Sequence, residues 1–469
     1  MSEQLLGDFN EHAIRELSSS LKEPEWLLRF RLRSFENFLS LPPETNPLYT
    51  KYTYISQFNV SDFPFGKIER DLDFRDTFKG YLVGNETNIS ISANNQIMHT
   101  ELEQDLEKKG IIITSIEEAI KKYESKIKDI FSEKIVKSED EKFAAFVNSF
   151  FNTGLFIYVP RGLRLEKPLR KLRLTDKPET STIDQTIVFV EEDSSLLFLE
   201  EEYSKDEEEE VTLHASNLDV FGGRNTSVDL SSIHMLGEKA VSIVNRGLKL
   251  DEGARMTDSS LYLGSAISRA RTNFFLAGRG SFAEGFEIFF TDGKQRYDFE
   301  TNLVHLSQDS TGSTHARGVL RGESQSIYKG MIKIDEAAKN SRSYLAHHAM
   351  ILERTARSDA IPGLEIYTNE VKATHSASVA QLDEEQLFYL MSRGIEIEEA
   401  KKMIVLGFFE PVLSRVPVEE TREGARFMVE GKWHREKRKL IDRARVAVPK
   451  EVRHELKQED IFERHYKYR

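Results

Sequence analysis

From about Phe156 to Val379 the chain alternates apolar and polar residues in short runs. Examples are "DQTIVFV", "SLLFLEE", "SVDLSSIHML", "AVSIVNRGLKL", "SIYKGMIKI", "SYLAHHAMIL" and "GLEIYTNEVKATH". A period of two is that of β-strands, whose successive side chains point to opposite faces. Gly, Asn, Asp and Ser separate the runs as turn residues, and no stretch between them reads as a helix. The runs start roughly 11 to 17 residues apart, a spacing open to a sandwich, a barrel or a solenoid. More than a dozen strands in about 220 residues is long for one sandwich, which favours stacked coils, a β-helix-like solenoid. Such a stack has bare ends and edges that other segments must cover.

Helical periodicity flanks this region on both sides. "EPEWLLRFRLRSFENFL" places Trp26, Leu27, Phe30, Leu32, Phe35, Phe38 and Leu39 at helical spacing, with Pro24 in the first turn and "SLPPE" as the stop. Residues 45–100 are mixed, with the strand-like run "NISISA"; residues 101–152 read as helix. Within the latter, Ser115 and Glu118 form a capping box. Past the strands, Asp383 caps a helix bearing Leu387, Phe388, Leu390 and Met391, and Gly394 ends it. A second helix, "EIEEAKKMIVLGFFEPVL", is kinked or ended by Pro411. The pattern thus divides the chain into 1–155 (helical, α+β), 156–380 (the β core), 381–433 (helical) and 434–469 (a charge-rich tail).

Composition narrows the class. With 39% hydrophobic and 30% charged residues in 469, the chain reads as a soluble globular protein. No apolar run approaches the roughly 20 residues of a membrane span. The N-terminus lacks the basic-then-apolar pattern of a secretory signal. Cysteine is absent, which excludes disulfides, thiolate ligands and cysteine nucleophiles and fits a cytoplasmic location. The net charge of −13 argues against general nucleic-acid affinity. The basic tail, with "HREKRK", leaves a nucleic-acid-binding reading open, but its interleaved acids favour a solvated helix.

Motifs exclude more than they assign. The chain has no GxxxxGK[ST], no HExxH and no GxSxG, so a P-loop, a zincin centre and a hydrolase elbow are not expected. "AGRGSFAEG" reads as turn chemistry. The acidic run "EEEYSKDEEEE", Glu200 to Glu210, reads as a solvated loop. Asp298 and Glu300 share a face at i, i+2, which keeps a carbohydrate-active β-helix enzyme as an alternative. Histidines 305, 315, 347, 348 and 375 lie among the strands. His347 and His348 are adjacent and must point to opposite faces. Isolated histidines are mostly structural hydrogen-bonders, yet His375 stands near the end of a strand, just before the chain turns into a helix.

Four stretches carry a resemblance: "KEPEWLLRFRLRSFENFL", "YVPRGLRLEKPL", "SDAIPGLEIYTNEVKATHSASVAQLDEEQLFYLMSRGI" and "EEAKKMIVLGFFEPVLSRVP". Together, over about residues 20 to 417, they resemble the SufB/SufD family of iron–sulfur cluster assembly scaffolds. The resemblance implies a right-handed parallel β-helix between an N-terminal helical region and a C-terminal helical domain. It implies a non-catalytic subunit with no permanently bound cofactor, only transient iron or an iron–sulfur cluster. The implied partners are a SufC-type ATPase and a second SufB- or SufD-type chain, or this chain itself as a homodimer. His375 matches a histidine of the signature, and His347 falls near the position of the SufB cysteine, so both are candidate iron ligands. Phe388, Tyr389, Arg393, Met403 and Phe408 lie on the helices that resemble the SufC-docking segment. "HSAS" replaces the SufB pattern HEAS, and "LEIYTNEVKATH" is similar to SufD; the EPEW helix and Ile361-Pro362 are closer to SufB. The reading is a SufD-type subunit.

Overall fold

The computed structural model describes residues 7–55, 58–65, 87–175, 181–204, 211–416 and 419–435. Two helices open it, α1 (Glu11–Leu21) and α2 (Glu25–Ser40), followed by β1 (Ile89–Ala93), β2 (Gln96–Glu101), α3 (Gln104–Lys108) and β3 (Ile112–Ser115). Then come α4 (Ile116–Lys122), α5 (Glu124–Ser132) and α6 (Lys142–Phe150). The first coils hold β4 (Leu155–Val159), β5 (Leu169–Thr175), β6 (Thr182–Val190), β7 (Ser195–Ser204), β8 (Leu213–Gly222) and β9 (Ser227–Met235). The middle coils hold β10 (Val241–Leu250), β11 (Arg255–Tyr262), β12 (Ile267–Leu276), β13 (Phe282–Thr291) and β14 (Arg296–His305). The last coils hold β15 (Thr311–Leu320), β16 (Gln325–Ile334), β17 (Arg342–Ile351), β18 (Arg357–Ile366) and β19 (Lys372–Gln381). Three helices follow among the described residues: α7 (Glu384–Ser392), α8 (Ile397–Leu413) and α9 (Glu419–Trp433).

Odd-numbered strands from β5 onward form one sheet and even-numbered strands from β4 the other, each parallel throughout. The chain passes from sheet to sheet at every turn, making a parallel β-solenoid of about seven turns. One row of corners carries the path. Asp193, Asn225, Gly253, Gly280, Asp309 and Asn340 all have φ between 55° and 68°, a left-handed conformation open to Gly, Asn and Asp. Each donates its backbone N–H to the corner of the next coil, as in Asp193 to Arg224 O (2.9 Å) and Asp309 to Lys339 O (2.9 Å).

Alternation then sorts the side chains. Inward positions such as Val188, Leu230, Leu248, Phe274, Phe289, Phe299 and Ile332 fill the lumen. Outward positions are covered differently on the two sheets. Ile183, Leu213, Ala215 and Ile243 of the even sheet pack under Leu27, Phe35, Phe146 and Phe150 of the N-terminal helices. Leu261, Phe286, Ile288 and Val319 of the odd sheet pack under Val405, Phe409, Leu413 and Trp433 of the C-terminal helices. The terminal helices therefore bury the two outer faces that a bare solenoid exposes. No described helix is long and apolar enough to cross a membrane.

The caps form as the sequence requires. Ser115 Oγ accepts the Glu118 N–H at 3.0 Å, and Asp383 Oδ1 accepts those of Glu385 and Gln386 at 2.9 and 3.2 Å. Gly394 ends α7 at φ 87°, and α8 runs two residues past Pro411. Two expectations need correction. Residues 101–152 are not uniformly helical: Gln96–Glu101 is a strand that reaches into the segment, and Ile112–Ser115 pairs antiparallel with β4. The acidic run is not a solvated loop over its first part. Glu200, Glu201 and Glu202 belong to β7 and are buried, while residues 205–210 lie outside the described residues. The tail beyond residue 435 lies outside them as well.

Candidate functional site at the open end of the solenoid

At the N-terminal end each sheet closes with an antiparallel strand, β2 or β3. At the other end each sheet stops on a ten-residue edge, β19 or β18, and no further strand pairs with either among the described residues. Register fixes which way the last side chains point. His375 pairs with Leu345, Ala377 with His347 and Val379 with Ala349, and Leu345 and Ala349 are lumen residues. His375 is therefore on the inward row, at the mouth of the stack, and it is exposed. Val379, Leu364 and Ile366 are exposed beside it, at 42%, 42% and 39%.

His347 lies one coil below on the same row. It is fully enclosed, its ring stacked on Tyr328 (centroids 4.5 Å) and facing Phe289 (6.2 Å). Burial, with His348 next to it, pushes its pKa down to about 3, and neither ring nitrogen has a hydrogen-bond partner. His348 points outward, as adjacency demands, with Nδ1 2.6 Å from Ser378 Oγ. The structure thus brings His375 and His347 to one face on neighbouring strands. His305 and His315 stand apart: His305 is buried between Ser310 Oγ (2.8 Å) and Ser343 Oγ (3.0 Å), and His315 stacks outward on Phe286. Among the described residues no three His, Asp or Glu side chains assemble as a metal site.

One residue, Leu382, separates β19 from the capping Asp383 of α7. That helix buries none of its residues. Phe388 is 74% exposed, Tyr389 56% and Met403 44%, and Arg393 is exposed too. Phe408 differs from the other four. It is half-buried on the odd sheet, with Arg317 over its ring at 4.9 Å and donating to its carbonyl.

Sequence reasoning missed the polar lining of the lumen. Leu196, Phe198, Glu200 and Glu202 share the inward row of β7, and the register sets Glu200 against Lys171 and Glu202 against Arg173. Lys171 Nζ lies 2.6 Å from Glu200 and 2.7 Å from Asp184, and Arg173 lies 3.0 Å from Glu202 and 2.5 Å from Asp184. His234 Nδ1 is 2.9 Å from Glu202, and Arg246 is 2.9 Å from Asp258. Further along, Glu287 accepts from Thr301 (2.7 Å) and Tyr328 (2.9 Å), and burial holds its carboxyl above the usual range. Charges taken from water at this depth are tolerable only when paired this closely. The signal was present in "LRKLRL", where bases alternate with leucines on a strand, and in a glutamate run continuing the period of "SLLFLE".

The carboxylate pair Asp298 and Glu300 faces outward but lines no groove. Asp298 is buried against Lys329 (2.7 Å), Thr53 and the Tyr54 N–H, and Glu300 against Arg271 (3.1 Å). Both lie under the N-terminal region or in ion pairs, and nothing supports a carbohydrate enzyme.

The class the fold defines is a two-sheeted parallel β-solenoid with helices at both terminal regions, one open end and an exposed helix beside that end. The description "SUF system FeS cluster assembly, SufBD core domain" matches residues 173–408, and "SufBD protein N-terminal region" matches residues 9–170. The chain belongs to the SufBD family of the SUF iron–sulfur cluster assembly system. It is 28% identical over 443 residues to iron–sulfur cluster assembly SufBD family proteins of Staphylococcus haemolyticus and Staphylococcus aureus, and 27% to one of Staphylococcus saprophyticus. Each alignment spans 90% of this chain and 93% of the relative.

Proposed function

We propose that this chain is a SufD-type, non-catalytic scaffold subunit of a cytoplasmic SUF complex, completed at the open end of its solenoid by a cysteine-bearing SufB-type chain. The observation that carries this reading is the exposed β19 edge with His375 at the mouth, in a chain whose sequence has no cysteine. Sulfur transfer from a persulfide needs a thiolate acceptor, so the acceptor belongs to the partner. His375 offers imidazole, a common iron ligand, to the substrate iron at the seam. His347, one coil deeper and neutral, is a second candidate on the same row. A SufC-type ATPase docks on the exposed faces of α7 and α8. Its movement on binding ATP reaches the seam through the short Leu382–Asp383 link, so that docking and seam geometry are coupled.

The test is co-expression with SufC- and SufB-type chains, followed by anaerobic reconstitution read by visible absorption and iron content. His375→Ala is expected to leave the complex assembled and to lower cluster yield roughly tenfold or more, since even an outer-shell partner of a metal ligand is worth about 10- to 100-fold. Wild-type yield from the variant removes the ligand role.

A further inference from the structure

Inside the lumen, one inward column of the odd sheet runs through His347. Register aligns Glu287 of β13 with Ala316 of β15, Ala316 with His347 of β17, and His347 with Ala377 of β19. Neighbouring strands are about 4.8 Å apart, so Glu287 and His347 spring from backbones about 10 Å apart. In that column only the Ala316 methyl stands between them, and only the Ala377 methyl between His347 and the mouth. Tyr328 reaches the same place from β16 of the facing sheet. Its hydroxyl is 2.9 Å from Glu287 Oε2, and its ring is stacked on His347 at 4.5 Å between centroids. All three side chains are buried.

The hydrogen bonding of this group is lopsided. Glu287 Oε2 accepts from both Thr301 (2.7 Å) and Tyr328, while Oε1 has no partner. His347 has none at either ring nitrogen. Buried carboxylates and imidazoles that serve the fold alone are normally satisfied. Elsewhere in this lumen charges find each other, as Lys171 finds Glu200 and Asp184. Among the described residues no Lys or Arg makes an ion pair with Glu287; Arg246 pairs with Asp258 instead.

We infer that Glu287, Tyr328 and His347 form an inner ligand set that holds the substrate iron one coil behind His375. This rests on the reading that iron is handled at this end of the solenoid. Ferrous iron accepts mixed sets of imidazole and oxygen donors. The Glu287 carboxylate supplies the negative charge that a buried cation needs. His, Asp and Glu alone do not reach three donors here, and the tyrosine is the third. Three donors leave coordination positions open, which suits an ion in transit. Across the last ladder His347 faces Ala377 and His375 faces Leu345, so the inner set and the mouth histidine are diagonal neighbours.

Cobalt(II), an air-stable stand-in for ferrous iron with visible d–d bands, tests the set in the full, untagged chain without a partner. Equilibrium dialysis should find one ion at the set. Glu287→Gln and His347→Leu should each weaken its binding roughly tenfold or more, since even outer-shell partners of a metal are worth about 10- to 100-fold. Glutamine still accepts from Thr301 and Tyr328, so an unchanged melting temperature separates lost ligation from lost fold. Tyr328→Phe should shift the d–d bands, and His375→Ala should bind cobalt as the parent does. In the parent itself, paramagnetic broadening should be strongest at the Ala316 and His347 amides. No bound cobalt, binding unmoved by Glu287→Gln, or broadening centred on His375 overturns the inference. If cluster yield depends on His375 while cobalt binding fails, the mouth reading stands without the inner set. If cobalt binds as expected while His375→Ala gives full cluster yield, the mouth ligand falls and the inner set stands.

Discussion

His305 is a histidine whose burial decides its charge. Enclosed between two serine hydroxyls, it has its pKa pushed down to about 4 by loss of solvent. Between pH 6.5 and 4 the unfolded chain takes up a proton at this site and the folded chain does not. Its contribution is therefore complete at pH 7 and lost on acidification, at up to about 1.4 kcal/mol per pH unit. His305→Gln keeps an amide for the serines but removes the titration. Urea unfolding from pH 7 to 4.5 is expected to show the variant less stable at pH 7 and converging on the parent at the acid end; parallel curves would mean that His305 does not stay neutral. At this scale the sequence was legible where backbone geometry alone sets the outcome. His347 and His348 had to face opposite ways, and Asp383 had to cap. It was misleading where charge was read without its neighbours. Glu200 and Glu202 look solvated in a run of acids, and only the pairing of β5 with β7 reveals Lys171 and Arg173 opposite them.

Strands were legible because alternation survives even where the inward residues are charged. What alternation could not reveal is how a coil closes around a bulky core residue. Gly318 of β15 shows this. A Cβ on it would stand 2.0 Å from Phe289 Cζ and 2.1 Å from Cε2, and Phe289 is one of the rings against His347. The glycine is thus set by a neighbour on β13, 29 residues earlier in the chain, a separation that no local pattern reads. Gly318→Ala must push Phe289 off its rotamer or part the strands, costing about 1–3 kcal/mol. Thermal unfolding should show the loss. A hydrogen-bonded imidazole signal from His347 by NMR in the variant would show that its enclosure had loosened. An unchanged melting temperature would mean that the coil has slack there. The missed β3 has the same kind of cause, since four residues between helices leave too short a run to display a period.

The molecule as a whole divides its two helical regions by task, and the division makes the docking proposal testable. The N-terminal helices are tied to the even sheet by buried contacts, such as Lys134 to Asp219 at 2.7 Å and Arg269 to Glu141 at 3.0 Å. The C-terminal helices are held on the odd sheet by α8 and α9, where Lys432 reaches the Leu263 and Phe290 carbonyls and Arg321 the Trp433 carbonyl. Of these three described C-terminal helices only α7, between the open edge and α8, buries nothing of its own. In the sequence Phe388 and Phe408 look equivalent, as two aromatics on successive amphipathic helices. Packing separates them, because Phe408 lies under Arg317 and Phe388 in solvent. Phe388→Asp is expected to leave the melting temperature within a degree or two, as surface substitutions do. It should also abolish capture of a SufC-type ATPase. Phe408→Asp places a carboxylate against the odd sheet and should lower stability by about 1–3 kcal/mol, weakening capture only through that loss. Paired calorimetry and pull-down on the two variants separate a docking face from a packing face. If Phe388→Asp binds the ATPase as the parent does, α7 is not the contact, and the exposed apolar patch belongs to the seam partner at the neighbouring mouth.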